Sequence, residues 1–328
     1  MATKKQIVLS GTQPTGELHI GNYLGALKNW VGLQDKYQCY FFLATYHSIT
    51  ANYQAKEKKQ QIMDLTIDYI AAGLDPKKCI IFNQADVPAC TELAWIFNTL
   101  TPIAELERMT QFKDKSQKQA TNINVGLFDY PVLQAADILL YQPNYVPVGQ
   151  DQLQHLELTN KIVRWFNNKY GQYFQEIKPL LTETPKIMSL VEPEKKMSKS
   201  CGPKHYIAIN DSPQVIEEKI KKAVTGTGTE KQIPTGAKNL LALLAEFGTD
   251  DEVIYFSKQI SQKNIKYGEL KQTLAKAISQ YFEPYRTKRK ELEQKSEYIN
   301  KVLAEGAAKA QKVAKQTLIE VKKQIGVA

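Results

Sequence analysis

The sequence predicts an α/β protein: a parallel sheet with crossover helices, followed by an all-helical C-terminal part. Three observations carry that expectation. Short apolar runs alternate with helical periods through the first half of the 328 residues, the pattern of β-α-β crossovers. After about Asn210 the strand signal fades and only apolar spacings of three and four remain. The composition, 43% hydrophobic and 23% charged, supplies enough apolar side chains for a large core.

In chain order, Ile7, Val8 and Leu9 form the first predicted strand, stopped by Ser10 and Gly11. Thr12-Gln13-Pro14-Thr15-Gly16 is turn-forming, and a helix is expected over about 18–33. Residues 39–44 read as a second buried strand. The next helix aligns Ile62, Leu65, Tyr69 and Ala72 on one face and ends at Gly73 and Asp75-Pro76. Residues 79–82 and 145–148 complete four strands, separated by helical segments around 92–110 and 132–140. Further helices are expected at 215–224, 240–247, 253–260 and 267–279. The last helix lines up Leu303, Ala307, Ala310, Ala314, Leu318 and Val321 as an apolar seam. A composition shift divides the chain into a sheet domain over 1–190, a basic loop over 191–210 and a helical domain over 211–328. The last helix of that domain could fold back onto the sheet. Ligands of such sheets sit beyond the strand C-termini.

No apolar run approaches the ~18–20 residues of a membrane span. The opening Met-Ala-Thr-Lys-Lys leads straight into the first strand and lacks a signal-peptide core, so the cytoplasm is the expected location. Four cysteines stand far apart without a Cys-x-x-Cys pair, and the four histidines show no ligand spacing. No protein-held metal is expected, and any cation is a hard one arriving with a phosphate. Net charge is +9, and residues 281–328 hold 11 Lys and Arg against 6 Asp and Glu. That surplus fits either a solvated helical surface or a phosphate-binding footprint.

Two stretches carry chemistry. Ser10-Gly11-Thr12-Gln13-Pro14-Thr15-Gly16-Glu17-Leu18-His19-Ile20-Gly21-Asn22 is a strand-loop-helix unit. Its helix start offers unpaired N–H groups and a positive dipole end to a phosphate, and His19 can donate to a phosphate oxygen. It is equally a glycine-containing turn with a capping histidine. In the second stretch, Lys195, Lys196 and Lys199 crowd a serine-flanked loop, where they would repel one another unless they met anions. A solvated linker would look the same.

Taken together, Pro14-x4-His19-Ile20-Gly21-Asn22 and Lys196-Met197-Ser198-Lys199-Ser200 resemble the paired signatures of class I aminoacyl-tRNA synthetases. The likeness extends through Gly21-Asn22-Tyr23-Leu24-Gly25-Ala26-Leu27 and Glu105-Leu106-Glu107-Arg108-Met109-Thr110-Gln111-Phe112-Lys113. It continues in Tyr130-Pro131, Ala135-Ala136-Asp137-Ile138-Leu139-Leu140-Tyr141 and Val146-Pro147-Val148-Gly149-Gln150-Asp151-Gln152. Over nearly the whole chain the pattern is similar to the bacterial tryptophanyl-tRNA synthetases, with a Rossmann-like nucleotide-binding domain and a helical tRNA anticodon-binding domain.

The resemblance implies activation of L-tryptophan by ATP with Mg²⁺, then transfer to tRNA(Trp), in a homodimer with residues 103–112 as an interface helix. It places Gln13, Pro14, Thr15, His19, Gly21 and Asn22 on ATP, with Gly149, Gln150, Asp151 and Ile187 framing adenine and ribose. Lys196, Met197, Ser198, Lys199 and Ser200 form the loop that closes on the triphosphate, and Lys196, Lys199 and His19 are the catalytic groups. It makes Asp137 the acceptor of the indole N–H, with Leu9, His47, Gln134 and Gln152 around the amino acid. Read from its residues alone, Asp137 is a cap or surface charge on a leucine-rich helix. Tyrosyl-tRNA synthetases share a Gln and an Asp three apart but carry a tyrosine where Leu9 stands, which favours tryptophan. Thr45 replaces the family's usual Asp, and Gln150 its usual Glu, so the alternatives are a tyrosyl-tRNA synthetase or a weakly catalytic regulatory relative of the same fold.

Overall fold

A computed structural model describes residues 5–110, 123–181, 186–226, 233–262 and 264–328. The chain forms two compact units, one built from 1–16, 29–182 and 295–328 and the other from 17–28 and 183–294. These units divide the chain by packing, where the sequence had divided it by expected role.

In the first unit, β1 (Ile7–Thr12), β2 (Gln38–Leu43), β3 (Cys79–Asn83), β4 (Tyr145–Val148) and β5 (Lys178–Leu181) form one sheet in the order β3-β2-β1-β4-β5. All pairings are parallel. Strand order reverses between β1 and β4, the switch point where such sheets leave a crevice beyond their carboxyl ends. The segments 13–16 and 149–151 leave those two ends.

The first strand does not stop at Ser10-Gly11 as expected but continues to Thr12, because β2 pairs with it along its whole length. Gly11 stands opposite Phe42, where a Cβ would lie 2.6 Å from the Phe42 carbonyl oxygen and against its ring, so only glycine fits. Tyr69 anchors the strand end: Thr12 N donates to its hydroxyl at 3.1 Å, and that hydroxyl donates to the Phe42 carbonyl at 3.3 Å. The unforeseen β5 is an exposed edge strand, which tolerates Lys178 and Pro179 and so gives little apolar signal.

Helices on this unit mostly extend beyond their predicted bounds. Ala55–Ala71 starts about two turns before Ile62. The expected 92–110 helix is two, Ala89–Asn98 and Ile103–Glu107, broken before Pro102 as X-Pro sterics require. The segment expected at 132–140 is Val125–Leu139, capped by the Asn124 side chain accepting from Leu127 N and running through the buried Pro131. Leu153–Tyr170 was not predicted, although Leu156, Thr159, Ile162, Val163 and Phe166 form a helical stripe and are buried. The 296–324 seam forms as expected in Ser296–Gln324, which packs on β3. Gln111, Phe112 and Lys113, with the end of the expected 103–112 helix, lie outside the described residues.

The second unit holds Pro213–Lys222, Thr235–Phe247, Asp250–Ser261, Tyr267–Tyr281 and Glu283–Glu293. The first is capped by Ser212, and the third by a reciprocal Thr249–Glu252 box. Its N-terminal piece is tied in by backbone: Ile209 N donates to Leu18 O at 2.9 Å and Ile20 N to Ile207 O at 3.0 Å. The helix expected from residue 18 begins at Ile20 instead, because His19 is its cap. It passes through a π-helical turn, Tyr23–Leu27, before Lys28–Leu33.

Among the described residues, no helix is long and apolar enough to cross a membrane.

Candidate functional site

In the second unit the two signature stretches converge on His19. Its Nδ1 accepts from Gly21 N at 3.1 Å and from Asn22 N at 3.3 Å, while Asn22 Oδ1 accepts from His19 N at 3.2 Å. An accepting Nδ1 puts the neutral ring's proton on Nε2, which is therefore a donor. The capping and phosphate readings of this histidine are compatible: one nitrogen caps and the other is left to donate. Burial, then the positive charges of Lys199 and Lys196, hold its pKa down to about 4, so the ring is neutral at pH 7. A Cβ on Gly21 would lie 3.0 Å from the His19 ring and 3.7 Å from Ile187 Cβ, so a side chain there would crowd the histidine that caps the helix.

The lysine loop hangs from a short antiparallel bridge between Met188 and Lys196. Met197 N donates to Ile187 O at 2.9 Å and Ser189 N to Lys195 O at 2.8 Å, with the Met197 side chain buried. Lys196 is exposed; Lys199 is half-buried and opens the turn Lys199–Cys201. The Ser198 and Ser200 hydroxyls lie 2.9 Å apart. Lys195 does not need an external anion, since Glu192 pairs with it at 2.6 Å. The structure also gathers Glu192, Cys201 and His205, whose ligand-type atoms lie within 4.8 Å of one another, a grouping that histidine and cysteine spacing alone did not suggest. These groups already serve the loop: besides the Lys195 pair, His205 Nδ1 is 3.0 Å from Ser189 Oγ.

In the first unit, Asp137 is neither a cap nor a surface charge. The tertiary fold buries it within Val125–Leu139, at 3% exposure. His47 Nε2 donates to its Oδ2 at 2.7 Å, and Gln84 Nε2 lies 2.8 and 2.7 Å from Oδ1 and Oδ2. Leu9, Tyr40, Ala136 and Tyr141 belong to the apolar cluster around the sheet on this side. Burial and then the Asp137 charge push the Tyr141 hydroxyl and the Cys90 thiol well above their ordinary pKa values, which places both within that carboxylate's field. Gln134 lies half-buried one turn before Asp137. His47 thus reaches Asp137 through Nε2, and Gln152 Nε2 donates to Asp151 Oδ2 at 3.0 Å.

The family of class I tRNA synthetases for tryptophan and tyrosine matches residues 1–283. The chain belongs to that family. It is 45% identical to the tryptophan–tRNA ligase of Clostridium tetani, over 99% of this chain and 97% of that protein. It is 42% identical to that of Clostridium acetobutylicum, over 99% and 98%. The crystal structure of tryptophanyl-tRNA synthetase from Campylobacter jejuni with ADP and tryptophan superposes with a TM-score of 0.85 at 34% identity, covering 98% of this chain and 99% of that one.

The loops of this synthetase beyond β1 and β4 hold the remaining candidates. Gln13 and Thr15 are exposed, with Thr15 N donating to Gln13 O at 2.9 Å, and Pro14 is buried. Lys58, which the sequence did not single out, donates to Pro14 O and Ser48 Oγ, each at 3.0 Å, and so pins the first loop. Gln150 and Asp151 are exposed, and a Cβ on Gly149 would lie 2.8 Å from Asp151 Oδ1. Sequence reasoning also missed Gln84. Its one signal was an amide directly after an apolar strand, which does not reveal its partner 53 residues away.

Proposed function

We propose that this synthetase is a tryptophan–tRNA ligase, forming tryptophanyl-adenylate and pyrophosphate from L-tryptophan and ATP and passing the aminoacyl group to tRNA(Trp). The observation that carries the reading is the buried Asp137 carboxylate, one oriented acceptor set in an apolar cluster. Tryptophan offers one N–H donor on a large apolar body, so a single acceptor reads it. A pocket built on that bond rejects an analogue lacking the donor, because the buried carboxylate would be left short of a partner. Leu9 gives a phenol no partner. The amino acid site is assigned to Leu9, His47, Gln134, Asp137 and Gln152, with His47 also holding Asp137.

The amino acid carboxylate attacks the α-phosphorus in line and pyrophosphate leaves. No side-chain nucleophile takes part, so positioning and charge stabilisation supply the catalysis. His19 donates through Nε2 to a phosphate oxygen, and Asn22 and the Gly21 backbone steady the nucleotide. Gln13, Pro14 and Thr15 contact it from the first loop, and Gly149, Gln150, Asp151 and Ile187 frame adenine and ribose. Lys196 and Lys199, carried by Met197, Ser198 and Ser200, meet the charge that grows on the leaving pyrophosphate. Mg²⁺ is a hard, oxygen-seeking cation, and the His19 neighbourhood is cationic, while the Glu192–Cys201–His205 group suits softer metals. Mg²⁺ would therefore be brought in by the triphosphate rather than by protein ligands, and would supply neutralisation of phosphate charge alongside Lys196 and Lys199. The enzyme works in the cytoplasm as a homodimer, to which the exposed Trp95 and Ile103 offer apolar surface.

ATP–pyrophosphate exchange measured side by side with L-tryptophan and L-tyrosine tests this reading. Exchange that depends on tryptophan alone is expected. Exchange driven by tyrosine would establish the other specificity, and none with either would establish a non-catalytic relative.

A further inference from the structure

Gln84 opens the turn Gln84–Asp86 directly after β3 and is 1% exposed. Its Oε1 accepts from Tyr46 N at 2.9 Å. A backbone N–H can only donate, so this bond fixes which end of the amide faces Asp137, and that end is the NH₂ group. The amide nitrogen lies 2.8 and 2.7 Å from the two carboxylate oxygens. A second bond runs between the same two segments: Ala85 N donates to Thr45 Oγ1 at 3.1 Å, with Thr45 5% exposed. The turn after β2 and the turn after β3 thus clasp each other reciprocally, and the clasp presents Gln84 to Asp137. Thr45, standing where the family resemblance leads one to expect Asp, is a hydroxyl acceptor in this clasp. Of the three bonds Asp137 receives here, Oδ2 takes two, from His47 and Gln84, and Oδ1 takes one. Oδ1 is therefore the oxygen with more capacity for an incoming donor.

We propose that Gln84, locked by the Thr45–Ala85 and Tyr46–Gln84 bonds, is a positioning residue that sets the rotation of the Asp137 carboxylate and thereby the preference for an indole N–H. The inference rests on the proposed tryptophan specificity. Without the clasp, the carboxylate turns, and the bond that separates tryptophan from an isostere lacking N–H weakens.

The test is kinetic, on the full-length protein. The probes are L-tryptophan and 3-benzothienyl-L-alanine, in which sulfur replaces the indole N–H. If the wild type shows no tryptophan-dependent exchange, the proposed function fails. If it does, Gln84→Leu decides the inference. Expected are a KM for tryptophan raised about tenfold or more, kcat changed little, and a tryptophan-over-analogue ratio of kcat/KM reduced about tenfold. A ratio equal to wild type, with both substrates weakened alike, would reduce Gln84 to packing and overturn the proposal. Should Gln84→Leu fail to fold, Thr45 decides: Thr45→Ser keeps the ratio and Thr45→Val lowers it. Equal ratios in those two variants would also overturn the proposal.

Discussion

At the scale of single residues, burial and partners decide what a side chain is. His19 reads in the sequence as either a cap or a phosphate donor, and the structure makes it a cap through Nδ1 while keeping Nε2 as a donor. Its pKa, lowered from 6.5 to about 4, has a consequence for stability. Below pH 6.5 the unfolded chain takes up a proton at this residue that the folded chain refuses until about pH 4, so stability is lost as pH falls through that window. Between pH 7.5 and pH 5 the linkage amounts to about 2 kcal/mol. Denaturant unfolding of the wild type against His19→Asn should show the wild-type advantage shrinking by about that amount. An advantage independent of pH would mean that His19 is not buried in its neutral form. Asp137 shows the limit of reading residues alone, since nothing local to it announces that Gln84 and His47 converge on it.

At the scale of elements, close approach sorts the glycines. Gly306 lies in Ser296–Gln324 where the helix packs on β3, and a Cβ there would fall 1.8 Å from the Ile81 carbonyl oxygen. Backbone cannot give way as a side chain does. Gly306→Ala is expected to destabilise the protein by about 3 kcal/mol through overpacking. Gly32, exposed in Lys28–Leu33 with nothing within 4 Å, should instead gain about 0.5 kcal/mol on replacement by alanine. Urea midpoints of the two variants check both signs, and a neutral Gly306→Ala would mean that the helix does not approach the strand so closely. Element positions were largely legible where periodicity was strong, as in the Leu303–Val321 seam. They were missed at the exposed β5 edge, and bounds failed where tertiary burial carried a helix through Pro131.

At the scale of the whole molecule, the +9 charge has a location. Residues 295–328 hold seven Lys against three Glu, so most of the terminal surplus lies on the helix that packs on the sheet. Part of it is already paired, Lys301 with Glu305 at 3.8 Å, Lys322 with Glu92 at 2.7 Å and Lys323 with Glu320 at 3.1 Å. The remainder faces solvent, where it is open to phosphates. If it meets tRNA, raising salt from 50 to 200 mM should weaken tRNA(Trp) binding about tenfold or more, read by filter binding or fluorescence anisotropy. Affinity flat in salt would exclude a phosphate footprint.

By itself, the sequence determined the alternation of strands and helices, the amphipathic seam and the two signature stretches. Each is a matter of neighbours three, four or two positions apart, and backbone geometry converts such spacings into faces and turns. Only the tertiary structure decided that Lys199 and Lys196 stand close enough to His19 to depress its proton affinity. It alone brought the segments of Thr45–Tyr46, Gln84–Ala85 and Asp137 together through the Ala85–Thr45, Tyr46–Gln84 and Gln84–Asp137 hydrogen bonds. A polar group taken out of water must find its partner wherever the fold brings one, and that partner's distance along the chain leaves no periodic trace.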